Sequence, residues 1–197
     1  MNSNYVYEIG KSLYINATNK CTNACEFCVR NNKDFVYGDL WLDHEPSVDE
    51  VLDRLKNYDL SKYEEIVFCG YGEPTYRLDV IESISKFAHE NNLTTRINTN
   101  GHANYIHKKD VTDIIVKNID TIGISLNDVT EKDYDAICHP EFEGGFEEML
   151  SFAKQCIKKG GNVIFSVVDV IGQSKIAKAK EIAESIGAKL RVRELID

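Results

Sequence analysis

The sequence predicts an α/β fold on a parallel sheet, and three observations carry that expectation. Six short apolar runs, several rich in β-branched residues, recur along the chain. Amphipathic stretches lie between them, and the connections are short. Strands that alternate with helices in this way pair in parallel through right-handed crossovers. At 197 residues, with 43% apolar and 28% charged side chains, the chain suffices for one well-buried core. Either an open doubly wound sheet or an incomplete β/α barrel fits the alternation. No break in composition marks a boundary, so a single domain over residues 1–197 is expected.

The predicted strands are Ser12–Ala17, Glu65–Cys69, Thr94–Asn98, Thr121–Ser125, Asn162–Val168 and Ala188–Val192. The first helix is announced by Ser47 with Glu50 three residues on, a capping box ahead of Val51, Leu52 and Leu55. A second carries Leu78, Ile81, Ile84 and Phe87, and a shorter one Val111, Ile114 and Ile115. The next begins near Gly144, with Phe146, Met149, Leu150, Ala153 and Ile157 on its apolar face. The last follows Ser174 with Ile176, Ala179, Ile182, Ala183 and Ile186, and Gly187 is placed to stop it.

Charge narrows the partners. Residues 1–150 hold 14 Lys+Arg against 27 Asp+Glu, whereas residues 151–197 hold 9 against 5. The later lysines lie near helix spacing and read as solvated faces, so nucleic acid is an unfavoured partner. The longest nearly apolar stretch, Val163 to Gly172, contains Ser166 and Asp169 and falls short of a membrane span. The opening MNSNYVYEIGKS has neither the basic nor the apolar segment of a signal peptide, so a cytoplasmic location is expected.

Directly after the first strand, three of the six cysteines fall within eight residues: Cys21-Thr-Asn-Ala-Cys25-Glu-Phe-Cys28. Three thiolates at one point suit a soft metal site. The odd count points to an open coordination position, because closed structural sites usually carry four protein ligands. On a cubane of four irons, three cysteines would leave one iron free. Cys69, Cys138 and Cys156 are dispersed in the sequence and offer no neighbouring fourth. A zinc knuckle completed by His44, or three unrelated buried thiols, also fits these residues.

The C-x3-C-x-aromatic-C pattern, with Phe27 as the aromatic, resembles the signature of the radical S-adenosylmethionine (radical SAM) superfamily. The resemblance implies a partial (β/α)6 TIM-like barrel, the radical SAM core only. It also implies a 4Fe–4S cluster on Cys21, Cys25 and Cys28, whose free iron chelates the methionine moiety of S-adenosylmethionine. Reductive cleavage would then give a 5′-deoxyadenosyl radical, with a reductant such as flavodoxin or ferredoxin supplying the electron. The other strand ends agree. Gly70-Tyr-Gly72-Glu73-Pro74 follows the second strand and resembles the GGEP motif. There two glycines permit close backbone approach to a ligand, and Glu73 accepts from an ammonium group. Asn98 and Asn100 follow the third strand with amides suited to ribose hydroxyls; a turn satisfying its own backbone is the competing reading. Ser125 and Asn127 end the fourth and are assigned to the ribose or carboxylate region. Val168 lies in a segment resembling the adenine contact, with Val167 read as core. Arg193, on the sixth, reaches toward the carboxylate or the adenine, or forms a surface salt bridge.

A narrower likeness is carried by Leu13-Tyr-Ile-Asn16-Ala-Thr18-Asn19-Lys-Cys21-Thr-Asn23-Ala-Cys25, Cys28-Val-Arg30-Asn31, Leu40-Trp41-Leu42, Phe68-Cys69-Gly70-Tyr-Gly72-Glu73-Pro74 and Ser125-Leu-Asn127. These segments resemble the TatD-linked radical SAM proteins, a group that brings no assigned substrate. Outside the cofactor motifs, Arg30, Trp41, Tyr134, Cys138 and His139 are substrate-side candidates, each with a packing or solvent role as the plainer reading. Trp41 would anchor the loop Asn31–Pro46, with Phe35 and Tyr37, onto the barrel. Cys69 reads as a buried small hydrophobe. The expected function is hydrogen abstraction from an unidentified substrate, a small molecule, peptide or protein. The alternatives are an activase for a glycyl-radical enzyme, a carboxydeazaguanine-type synthase, and an iron–sulfur electron carrier or sensor.

Overall fold

A computed structural model describes residues 4–31 and 39–194. Seven strands form one sheet in strict sequence order: β1 (Val6–Ile9), β2 (Ser12–Ile15), β3 (Glu65–Phe68), β4 (Thr94–Thr99), β5 (Thr121–Ser125), β6 (Val163–Val168) and β7 (Lys189–Arg193). β2 to β7 are parallel, as the β-branched runs predict. A doubly wound sheet reverses its strand order at a switch point. No reversal occurs here, so the partial barrel is the observed architecture. β1 was not anticipated: it pairs antiparallel with β2 through a tight turn in which Gly10 takes φ 60°.

The helices pack on the outer face. α1 (Val48–Leu55) begins at the expected capping box: Glu50 N donates to Ser47 Oγ at 3.2 Å, and Ser47 N donates to Glu50 Oε2 at 2.8 Å. α2 (Leu78–Glu90), α4 (Thr112–Asn118), α6 (Gly145–Lys158) and α7 (Gln173–Ile186) lie on the predicted stretches, and Gly187 ends α7 at φ 82°. Two helices escaped the periodicity. α3 (Ala103–His107) is five residues long, and α5 (Glu131–Cys138) buries only Tyr134 and Cys138. So few apolar positions leave no helical stripe to read.

The two faces of the sheet differ sharply. The helix-facing side carries Leu13, Ile66, Phe68, Ile97, Ile124 and Phe165, all fully buried. Truncating one such large side chain costs about 3–5 kcal/mol. The register places Arg96, Asn98, Gly123, Ser125, Ser166, Arg191 and Arg193 together on the inner side. The expectation of apolar strand interiors therefore holds for one face only. A closed barrel fills its centre with packed side chains, whereas this open sheet leaves a polar lumen. No helix among the described residues is long and apolar enough to cross a membrane.

Candidate active site

The cysteine loop runs along the C-terminal edge of the sheet, where β/α folds place their working groups. It is held from three sides. α5 supplies carbonyls: Ala24 N donates to Cys138 O at 2.9 Å, and Glu26 N to Ile137 O at 3.0 Å. The turn after β4 supplies Asn100, whose Nδ2 donates to Thr22 Oγ1 at 2.8 Å. Arg30, read as a loop cation, closes the loop on itself by donating to Asn23 O at 3.1 Å. Beneath the loop lies a buried polar chain centred on His102, a residue that sequence reasoning missed. His102 Nδ1 contacts Thr22 Oγ1 at 2.9 Å, its Nε2 lies 2.9 Å from Gly145 O and 3.2 Å from the Tyr134 hydroxyl, and Asn23 Nδ2 donates to that hydroxyl at 3.1 Å. Burial lowers the His102 pKa to about 4, so the ring is neutral at pH 7.

The Gly70–Pro74 turn faces this loop, and its glycines serve a different neighbour from the ligand expected. A Cβ on Gly70 would strike Asn16 Oδ1, and one on Gly72 would strike Thr18 O and lie 2.6 Å from Lys20 O. The absent side chains thus admit the protein's own β2-to-loop segment, and Glu73 N donates to Lys20 O at 2.7 Å. Glu73 is 3% exposed. Its Oε1 accepts from Thr75 N, Thr75 Oγ1 and Thr99 Oγ1 at 3.1, 2.7 and 2.7 Å, and its Oε2 from Asn100 N at 2.7 Å. Burial raises its pKa above the ordinary carboxylate value against the pull of these donors. One lone-pair direction of Oε2 remains beyond these contacts.

Asn100 is committed to the protein at both ends of its amide, because its Oδ1 also accepts from His102 N at 3.0 Å. Asn98 accepts from Arg96 Nη1 at 3.0 Å. It lines, with Ser125 and Arg193, a pocket of about 60 Å³ on the inner face. Phe27, Val168, Arg191 and Arg193 line a wider adjoining cleft of about 430 Å³ that opens beside the cysteine loop. Val167 is core, as read. Asn127 takes φ 60°, places Nδ2 3.2 Å from Cys138 Sγ, and leaves its Oδ1 buried without a partner.

All three loop cysteines are free thiols. Burial pushes Cys21 up to about 12 and raises Cys28; Cys25 is raised chiefly by its hydrogen bond with Cys138 and by burial. Each would therefore release a proton on binding a metal. Cys138, dispersed in the sequence, is brought back against Cys25 because α5 runs behind the loop. A further cysteine therefore does lie near the cluster loop, contrary to the expectation from its place in the sequence. The donor set fits a cluster that needs three thiolates, and the orphaned Asn127 oxygen nearby is an acceptor awaiting a donor. His44 is engaged by Glu50 and Tyr5 rather than by the cysteines. No three His, Cys, Asp or Glu side chains among the described residues are grouped for a single metal ion.

Trp41 packs edge-on against Tyr71 at 5.4 Å, which anchors its loop to the barrel; Phe35 and Tyr37 lie outside the described residues. His139 caps α5 at φ 45° and pairs with Glu26 at 3.5 Å, on the surface. Cys69 is half-buried on the inner face beside Asn98 rather than in the apolar core.

A three-thiol loop and a polar lumen at the C-terminal edge of a partial β/α barrel define a class: a core built to hold a metal cluster beside a bound organic cofactor. The sequence profile of the radical SAM superfamily matches residues 15–186, and the chain belongs to that family. Membership of that family implies a 4Fe–4S cluster and S-adenosylmethionine as the cofactors. Solved structures share the fold. TYW1 with a lysine-pyruvate adduct bound is 18% identical at a TM-score of 0.65, over 97% of this chain and 67% of that one. SuiB from Streptococcus suis is 16% identical at 0.72, over 96% and 40%. Methylornithine synthase (PylB) is 12% identical at 0.63, over 94% and 53%. The chain thus spans between two fifths and two thirds of these proteins. A search of curated protein sequences returns no significant match.

Proposed function

We propose that the chain forms a single radical SAM core, of the TatD-linked subgroup, that abstracts hydrogen from its substrate. One observation carries this reading: three unpaired thiols lie on a loop beside the cleft that Phe27, Val168 and Arg193 line. Cys21, Cys25 and Cys28 are its cluster ligands. When bound, the cluster supplies the electron that cleaves S-adenosylmethionine to methionine and the 5′-deoxyadenosyl radical. The protein's part is binding, orientation and shielding. Phe27 and Val168 offer apolar surface to the adenine. Asn98, Ser125 and Asn127 offer polar groups to the ribose and methionine ends, and the remaining Oε2 direction of Glu73 accepts from the methionine ammonium. Gly70 and Gly72 act by letting the loop seat on the sheet edge, and Asn100 by holding Thr22. A flavodoxin or ferredoxin is the fitting reductant, in the cytoplasm.

The test is anaerobic reconstitution with iron and sulfide, addition of dithionite and S-adenosylmethionine, and quantification of 5′-deoxyadenosine by mass spectrometry. We expect product well above a Cys28→Ala control. Iron-loaded protein that yields no more nucleoside than the control would favour an electron carrier or sensor.

A further inference from the structure

The inner face of the sheet carries more positive charge than the described residues neutralise. Three arginines line its pocket: Arg96, Arg191 and Arg193. Arg96 is spoken for. Its Nε and Nη2 donate to the two Glu65 oxygens at 3.1 and 2.9 Å, and Glu65 is further occupied by Ser12 Oγ at 2.7 Å. Arg191 and Arg193 have no ion pair among the described residues. Standing two apart on β7, they project to the same face and repel each other, and Glu65 acts on Arg191 only from a distance. Arg193 is the costlier of the two: Arg191 is exposed, whereas the Arg193 Nε is covered from solvent and has no acceptor among the described residues. Buried donors are almost always satisfied, and an anion would supply the missing acceptor while relieving the repulsion between the two guanidinium groups. In a chain of net charge −9, leaving this pair open runs against the bulk electrostatics.

The surroundings suit a ligand. Ser166 is the register partner of Arg191 and Ser125 that of Ser166, so hydroxyls lie beside the guanidinium. The floor is Gly123, where a Cβ would come within 3.1 Å of Asn98 Oδ1 and 3.0 Å of Ile97 O. Arg193 stands level with the last residue of β6, but Arg191 lies two residues further down the strand, roughly 6–7 Å deeper in the lumen. Arg191 lines both the inner pocket and the cleft beside the cysteine loop, so an anion held at its depth can extend toward the sheet edge.

We propose that Arg191 and Arg193 form an anion site in the lumen that takes a carboxylate or phosphate of a small substrate, rather than the carboxylate of S-adenosylmethionine. This rests on the reading of the sheet edge as the cofactor site. Each planar guanidinium fork can donate two parallel hydrogen bonds to a carboxylate or a phosphate. The hydrogen abstracted would belong to the part of the substrate that rises from this anchor toward the edge.

The experiment titrates cluster-loaded protein, under anaerobic conditions, with inorganic phosphate and with malonate, against sodium chloride at equal ionic strength, and follows the melting midpoint. We expect a saturable rise with either anion, an apparent affinity at least about tenfold weaker in Arg191→Gln, and persistence of the rise with saturating S-adenosylmethionine. Ser166→Asp, which sets a carboxylate opposite Arg191, should raise the midpoint of the free protein and remove the response to phosphate. That variant guards against mistaking a misfolded protein for a lost site. A response no larger than that to chloride, or an unchanged one in Arg191→Gln, would overturn the proposal. Loss of the response on adding S-adenosylmethionine would also overturn it, by giving the pair to the cofactor's carboxylate. Anion binding that persists in cluster-loaded protein with no affinity for S-adenosylmethionine would sink the cofactor reading and leave the anion site standing.

Discussion

Glu73 shows how one side chain can serve structure at the place where ligand binding is expected. Its four hydrogen bonds join the β3 turn to the β4 turn, and Asn100, one of the residues so fixed, reaches the cysteine loop through Thr22. Replacing it by Ala strands four buried donors, and we expect a loss of about 3 kcal/mol in urea unfolding together with weaker iron retention. Unchanged stability would mean that the carboxylate faces ligand alone. His102 sets a pH dependence. Its folded pKa of about 4 lies below the ordinary value of 6.5, so the unfolded chain binds more protons between those limits. Its contribution is complete above pH 6.5 and is lost as pH falls toward 4. Iron-free protein should lose about 2 kcal/mol between pH 7 and pH 5, and His102→Gln should flatten that slope in urea melts.

At the scale of elements, the cysteine loop has little structure of its own and borrows order from its neighbours. α5 gives it backbone partners, the β4 turn gives it Asn100, and the Gly70–Pro74 turn gives it a close-packed wall. Because these supports belong to the folded core, Cys25→Ala should abolish iron binding while leaving a folded domain by circular dichroism. Cys138 tests the open coordination position. Although it lies against Cys25, we expect Cys138→Ala to retain iron and to cleave S-adenosylmethionine. Loss of iron in that variant would indicate a closed four-thiolate site with no room for the cofactor.

In the whole molecule, the sheet is sealed by helices on one face and open on the other, with edges at β1 and β7. Native-state hydrogen exchange should therefore find its slowest amides in β3, β4 and β5, and its fastest strand amides in β1 and β7. Uniform protection across the sheet would contradict this gradient. The same asymmetry explains what could be read beforehand. Ile66, Ile97, Ile124 and Phe165 announced their strands because they face the helices, and Ser47 with Glu50 announced α1 because a capping box is a local device. Arg96, Ser166 and Arg191 carried no such signal, since polar residues alternating within a strand read equally well as a solvated face.

The spacing of Cys21, Cys25 and Cys28, the turn at Gly70 to Pro74 and the β/α alternation were determined by the sequence alone. Each is local, and backbone geometry over a few residues sets its chemistry. Only the tertiary structure decided that Cys138 returns to Cys25, that His102 and Tyr134 support Thr22 and Asn23, and that Glu73 is bound on its protein side. It alone also gathered Arg191 and Arg193 with Ser125 and Ser166 into one lumen. These are contacts between residues tens of positions apart, brought together by sheet register and helix crossing rather than by neighbouring sequence.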